Sequence, residues 1–462
     1  MSNQTTAPAG ENKMGTMPVG KLLVNMSLPM MISMLVQACY NIVDSVFVAR
    51  VSENALTAVS LAFPLQTLMI AVGGGTAVGV NALLSKSLGE KEFERANKAA
   101  ENGIFLYALS YLVFLIAGLT VVHPFYASQT HNADPEILEM GVQYLTIAMT
   151  CSFGILTQFI FERLLTATGR TFYSMISQLC GAITNIILDP ILIFGMFGLP
   201  KMGVAGAAIA TVIGQCVGGT VAMICNFKYN HDIHISFRGF RPDGKIIATI
   251  YKVGVPSIIM QSIGSVMTYG MNLILVTFSS TAAAVFGVYF KLQSFFFMPL
   301  FGMNNGVTPI IAYNYGAKNR KRMIHTIKLS MKVAFVLMLI GFIVFETVPQ
   351  VLLGLFDASE DMLVIGEPAL RTIAFHFLIA WFCIIAGTVF QALGCAVYSL
   401  VVSVMRQLVV LLPVAYILAQ LGGLHAVWWS FPIAELMSFA VSTFFLTRIY
   451  RKIIRPLPEG VD

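Results

Sequence analysis

Long apolar stretches alternate with short polar ones from residue 22 almost to the end of the chain. Each stretch is near or above the roughly 20 residues that carry an α-helix across a bilayer core. Their polar residues recur at helical spacing rather than in the alternation of a strand. The pattern predicts twelve helices, approximately at 22–48, 55–85, 100–122, 139–166, 172–194, 203–226, 246–278, 282–313, 323–348, 363–393, 396–421 and 426–450.

Composition agrees with a membrane as the solvent. Of 462 residues 57% are hydrophobic and only 11% charged, with a mean hydropathy of +0.80. Soluble chains carry about 25% charged residues. The first twenty residues are polar, so no cleaved signal peptide is expected. The seven cysteines lie within or beside apolar segments and form no CxxC pair, which argues against a disulfide framework or a zinc site. His231 and His234 read as a solvated loop rather than metal ligands.

Charge sets the expected orientation. Lys86, Lys91, Arg95 and Lys98 follow the second helix, and further basic clusters follow the sixth, the eighth and the twelfth. The loops at 131–139 and 357–362 are acidic. Because Lys and Arg concentrate on the cytoplasmic side, both termini are expected in the cytoplasm of a multi-pass plasma (inner) membrane protein. That topology accounts for the net charge of +6, so no nucleic-acid partner is implied.

The chain also repeats itself. Residues from 29 onward match residues from 256 onward at a constant offset of 227, with Pro29 falling on Pro256 and "AFPLQ" on "YFKLQ". Gly75, Gly79 and Gly89 fall on Gly302, Gly306 and Gly316. The expected fold class is an all-α integral membrane protein, with twelve transmembrane helices in two pseudo-twofold related six-helix bundles. The expected divisions are a tail at 1–21, bundles at 22–226 and 246–450, a linker at 227–245 and a tail at 451–462. Parallel repeats of this kind are a transporter architecture with its site near the midplane.

Polar residues inside the apolar helices carry the candidate chemistry. A charged carboxylate at a bilayer centre costs at least roughly 2.5–3.5 kcal/mol, which marks Asp44 as functional. Gln37, Tyr40, Asn41 and Asp44 form one helical face, and Gln178, Asn185 and Asp189 form another. Pro190 frees the carbonyl of Ile186, leaving a carbonyl, an amide oxygen and a carboxylate within one turn. Oxygens of this type bind hard cations, and intramembrane carboxylates also relay protons. The alternative is that Asp44 and Asp189 lock two helices together. Glu162 and Arg163 are read as cavity residues, with Glu162 attracting a cationic substrate, and Arg406 and Glu435 as a structural charge pair. Soft Met and aromatic side chains suit an adaptable pocket.

"YNIVDSVFVAR" (40–50), "AFPLQ" (62–66), "NIILDPILIFG" (185–195) and "GVTPIIAYNYGAKNRKR" (306–322) together resemble the multidrug and toxic compound extrusion (MATE) family, in its MepA-like branch. The resemblance spans all twelve helices. It implies export of lipophilic, mostly cationic compounds in exchange for H⁺ or Na⁺, and so a part in antibiotic resistance. It also implies that Asp44, Asn185 and Asp189 carry the coupling ion, with Asn41 beside them. No enzymatic activity, cofactor or dedicated metal is expected, and the chain is expected to act as a monomer in the bilayer. At the repeat offset Asp44 falls on Met271, and the stripe of Gln261, Ser265, Thr268 and Asn272 holds no charge. A flippase for lipid-linked saccharides shares the architecture, but only Arg163, Lys291 and Arg406 would hold its pyrophosphate. A membrane enzyme or receptor lacks any catalytic cluster to support it.

Overall fold

The computed structural model describes residues 11–129, 135–356 and 359–460, and all regular structure among them is helical. The acidic loops anticipated at 131–139 and 357–362 fall partly outside the described residues. Among the described residues ten helices are long and apolar enough to cross a membrane alone, and two bent pairs, each counted as one span, raise the number to twelve.

In chain order the spans are α1 (Val19–Ala49), α2 (Phe63–Gly89), α3 (Phe93–Thr120), α4 (Pro135–Thr150 with Phe153–Ala167), α5 (Thr171–Phe194) and α6 (Gly203–Tyr229). They continue as α7 (Gly244–Val276), α8 (Ser280–Gly316), α9 (Arg320–Thr347) and α10 (Glu360–Ala374 with Phe377–Ala392). The last two are α11, from Ala396 to Val427, and α12 (Ser430–Ile449). Spans α1–α6 pack into one bundle and α7–α12 into the other.

Breaks within the spans have local causes. The stretch expected as one helix over 55–85 is split into Glu53–Leu61 and α2, because Pro64 near the start of α2 lacks the N–H that would continue the ladder. The 42° bend of α4 falls where the Thr150 hydroxyl donates back to the Thr146 carbonyl at 2.6 Å. The 51° bend of α10 lies beside His376, whose ring nitrogen meets the Ile373 carbonyl at 2.7 Å. Within α11 a π-helical segment, Met405–Leu411, precedes Pro413 and carries Arg406. At the tail, α1 begins at Val19, and a short helix, Lys13–Thr16, precedes it.

The bundles meet along α1 and α2 of the first and α7 and α8 of the second. Repeat-related glycines lie where the backbones touch. A Cβ on Gly79 would stand 2.2 Å from the Ile250 carbonyl oxygen, and one on Gly89 would stand 2.0 Å from that of Tyr313. From the opposite side, Gly302, Gly306 and Gly316 would place a Cβ 2.6, 2.8 and 2.1 Å from the carbonyl oxygens of Met30, Met26 and Lys86. Only glycine permits backbones this close. Beyond each contact Lys91 and its repeat mate Lys318 end the helix turn with φ of 60° and 55°. This seam lies toward the face that carries both described chain ends, where Gly15 packs on Tyr313 and Glu459 pairs with Arg320. Farther along, α1 and α7 expose Ile42 and Tyr269. The molecule is closed on the terminal face.

Candidate functional site

A cleft of mixed polar and apolar lining lies inside the first bundle, among α1, α4, α5 and α6. Its space is about 600 Å³, counting what is continuous with solvent. Its polar lining includes Gln37, Tyr40, Gln158, Glu162, Gln178 and Asn185, with Thr211 and Gln215 from α6. Among the described residues the second bundle contributes none to the lining.

Helix packing creates this arrangement. Gly181 of α5 faces Gly214 of α6, where an added Cβ on Gly214 would come within 2.7 Å of the Gly181 carbonyl oxygen. This close approach sets Thr211 against Asn185. With its amide oriented to suit both neighbours, Asn185 donates to Asp189 Oδ2 at 3.2 Å while its oxygen accepts from the Thr211 hydroxyl at 3.2 Å and the Thr211 N–H at 3.1 Å. Asn185 and Asp189 are therefore held on one turn of α5, beside the kink-prone Pro190.

Asp189 is fully buried, and Asp44 is half-buried on α1. The two carboxylates act on each other electrostatically, and Tyr40 feels both. Asp44 Oδ1 is a buried acceptor that no described donor reaches. An unsatisfied buried oxygen costs about 1–3 kcal/mol, more when charged. Two neighbouring carboxylates with an open acceptor are chemically suited to take up a proton or a small hard cation.

Glu162 is buried at the cleft wall and held by three side chains. Gln158 Nε2 donates to Oε1 at 2.8 Å, Gln178 Nε2 donates to Oε2 at 3.0 Å, and the Ser177 hydroxyl lies 2.9 Å from Oε1. It is the one charged residue in the cleft lining among the described residues. Its sequence neighbour Arg163 is not part of that lining. Adjacent helical residues point to different faces, and Arg163 Nη1 instead donates across the seam to Asn305 Oδ1 of α8 at 3.1 Å. Asn41 is exposed, and its described hydrogen bond is a backbone one, from the Ser45 hydroxyl. The structure thus gathers Gln37, Tyr40, Glu162, Gln178 and Asn185 along the cleft, keeps Asp44 and Asp189 beside it, and sets Asn41 and Arg163 apart.

Gln158, Thr211 and Gln215 were not singled out from sequence. Their signal was present, since Gln158 with Glu162 and Thr211 with Gln215 are i,i+4 polar pairs in apolar helices.

In the second bundle Arg406 Nη1 stands 3.5 Å from Glu435 Oε2. Tyr289, His376 and Phe431 pack together nearby, with ring centroids 5.8–6.4 Å apart. Lys291 Nζ lies 5.9 Å from the centre of the Phe356 ring. Among the described residues no group of His, Cys, Asp or Glu has a metal-site arrangement.

A family model described as MatE matches the chain twice, over residues 29–191 and 256–417. The multidrug export protein MepA of Staphylococcus haemolyticus is 27% identical over 94% of either chain. A solved multidrug resistance MATE family transporter of the MOP superfamily, in its outward-facing conformation, superposes with a TM-score of 0.90 at 25% identity, covering 97% of this chain and 99% of its own. A MOP superfamily transporter from Pyrococcus furiosus, described as having a binding pocket of reverse polarity, gives 0.89 at 26% identity, with 96% and 99% covered.

Proposed function

The chain belongs to the MatE family of multidrug exporters, and we propose that it is a secondary active antiporter that expels lipophilic, mostly cationic compounds in exchange for H⁺ or Na⁺. It is a membrane transporter rather than an enzyme, it handles small molecules, and it needs no cofactor. In this reading it works as a monomer, by alternating access, in the plasma (inner) membrane with both termini cytoplasmic.

The observation that carries the reading is the charge pattern of the first bundle. Among the described residues Glu162 is the charged residue lining the cleft, and concave sites with a few placed polar groups are where small molecules bind. Asp44 and Asp189 stand beside it, linked to the lining through Tyr40 and Asn185. A bound drug cation would be favoured by the carboxylates and stacked on Tyr40 or Phe159. A proton or Na⁺ at Asp44 and Asp189 would remove their mutual repulsion and so favour a closer arrangement of α1 and α5. Substrate and ion would then favour opposite conformations, and a ligand shifts such an equilibrium only by its differential affinity.

A lipid-linked saccharide flippase fits less well. A pyrophosphate needs converging cations, whereas Arg163 serves Asn305, Arg406 serves Glu435 and Lys291 lies over Phe356.

Uptake of a fluorescent cation into proteoliposomes, with pH and Na⁺ gradients imposed separately, tests the reading. Acceleration by one gradient is expected, and indifference to both contradicts it.

A further inference from the structure

Residues 12–17 belong covalently to the first bundle, yet they lie across the seam and grip the second. Asn12 caps the short helix through Met14 N–H, and its Nδ2 donates to the Thr168 carbonyl of the first bundle at 3.0 Å. On the other side Arg322 of α9 donates from Nη2 to the carbonyls of Met14 at 3.2 Å and Met17 at 2.6 Å. Asn314 Nδ2 of α8 adds a donor to the Met14 carbonyl at 3.2 Å.

These contacts have a common physical basis. A one-turn helix leaves its carbonyls without internal partners and its C-terminal end negative. The Arg322 guanidinium, 1% exposed, meets that end with charge-assisted hydrogen bonds. Met14, fully buried, fills the gap between the bundles, and Gly15 admits the Tyr313 ring, which an added Cβ would approach to 3.0 Å. Docking also has a cost. Burial, and then the nearby Arg170, push the Lys13 ammonium below its ordinary range, against the pull of Asp232. The segment is thus held by a few specific contacts to a surface that separates whenever the terminal face opens.

We propose that residues 12–17 form a latch: docked in the Arg322–Asn314 socket it holds the terminal face closed, and it must undock before that face can open. Arg322 then keeps its hydrogen bonds to the Met14 and Met17 carbonyls only while the latch is in place. Without the latch, opening the seam would return the guanidinium to water, so latch loss favours the open form. This inference rests on the alternating-access reading but not on the ion site.

The test is a distance measurement on the full chain in lipid nanodiscs, with spin labels on unnatural residues at Glu92 and Lys318, which leaves the seven native cysteines intact. Both positions are exposed and flank the Gly89–Gly316 contact. The unmodified chain should give a predominantly short distance, and drug or a change of pH should populate a long one. The Asn12→Ala, Met14→Ala double variant keeps the carbonyls that Arg322 meets but loses the helix cap, the bond to Thr168 and the buried Met14 side chain, and should raise the long-distance population roughly tenfold. Gly15→Val, which removes no polar group but clashes with Tyr313, should act in the same direction and serves if the double variant loses its fold. Distance distributions that superpose on the unmodified chain in both variants overturn the latch while leaving alternating access intact. A short distance under every condition overturns both.

Discussion

Asn185 and Asp189 stand one helical turn apart on α5, and Asn185 bridges that carboxylate to Thr211 of α6. The amide thereby fixes one oxygen of Asp189 while Asp44 approaches from α1 and acts on it electrostatically. An ion or proton arriving here changes the charge balance between two helices that both border the cleft. In the proposed mechanism this relationship would link ion loading to cleft shape.

The orientation is open to a direct test. With the basic loops on the terminal side, a cysteine replacing exposed Arg238 should be inaccessible to an impermeant reagent outside intact cells, and one replacing exposed Leu199 should be labelled. The reverse pattern would invert the topology.

Selectivity should follow Glu162. Glu162→Gln removes the charge from the cleft lining but preserves size, and should weaken binding of a monocationic aromatic about tenfold, the equivalent of about 1.4 kcal/mol. Binding of a neutral analogue should change far less. Equal losses for both, measured by fluorescence titration of purified protein, would separate Glu162 from charge recognition.

The glycine seam predicts position-specific intolerance. Gly79→Ala places a methyl group against the Ile250 carbonyl, whereas at Gly287 the added Cβ meets nothing within 4 Å. The first should destabilise the closed form by roughly 1–3 kcal/mol, the usual range for overpacking, and the second should be close to neutral. Thermal unfolding in detergent reports the difference.

The Arg406–Glu435 pair is proposed to be structural. Breaking a fully buried pair costs roughly 3–5 kcal/mol, but the Arg406 side chain is 29% exposed, and solvent screening lowers the figure. Arg406→Gln and Glu435→Gln should each lower thermal stability by about 1–3 kcal/mol on that basis. Ion dependence of transport should be retained, and its loss in the folded variants would give the pair a coupling role.

Much of this architecture is legible in the sequence because the bilayer enforces it. Apolar runs have to be helices, and the repeat offset singled out the glycines that form the seam. Pro64 marks the start of α2 in the sequence itself, whereas the bends of α4 and α10 are not legible, since each stretch remains apolar through them and the bend depends on Thr150 or His376 finding a carbonyl. Cleft-lining positions on a strong polar stripe, such as Gln178 and Asn185, are readable. Arg163 is not, because its partner Asn305 is 142 positions away in sequence and belongs to the other bundle. Asn41 shares a stripe with Asp44, but the two stand about 60° apart around the helix, and Asn41 lies on the exposed side.

The central claim is that Asp44 and Asp189 hold the coupling ion. Asp44→Asn and Asp189→Asn keep size and hydrogen-bonding capacity while removing the charge. The decisive measurement is gradient-driven transport of a fluorescent cation by both variants in proteoliposomes, alongside binding of the same dye. Loss of gradient-driven transport in each, with the protein folded and still binding dye, is the predicted result. Near-normal coupled transport by both would contradict it and leave the two carboxylates as groups that lock α1 to α5.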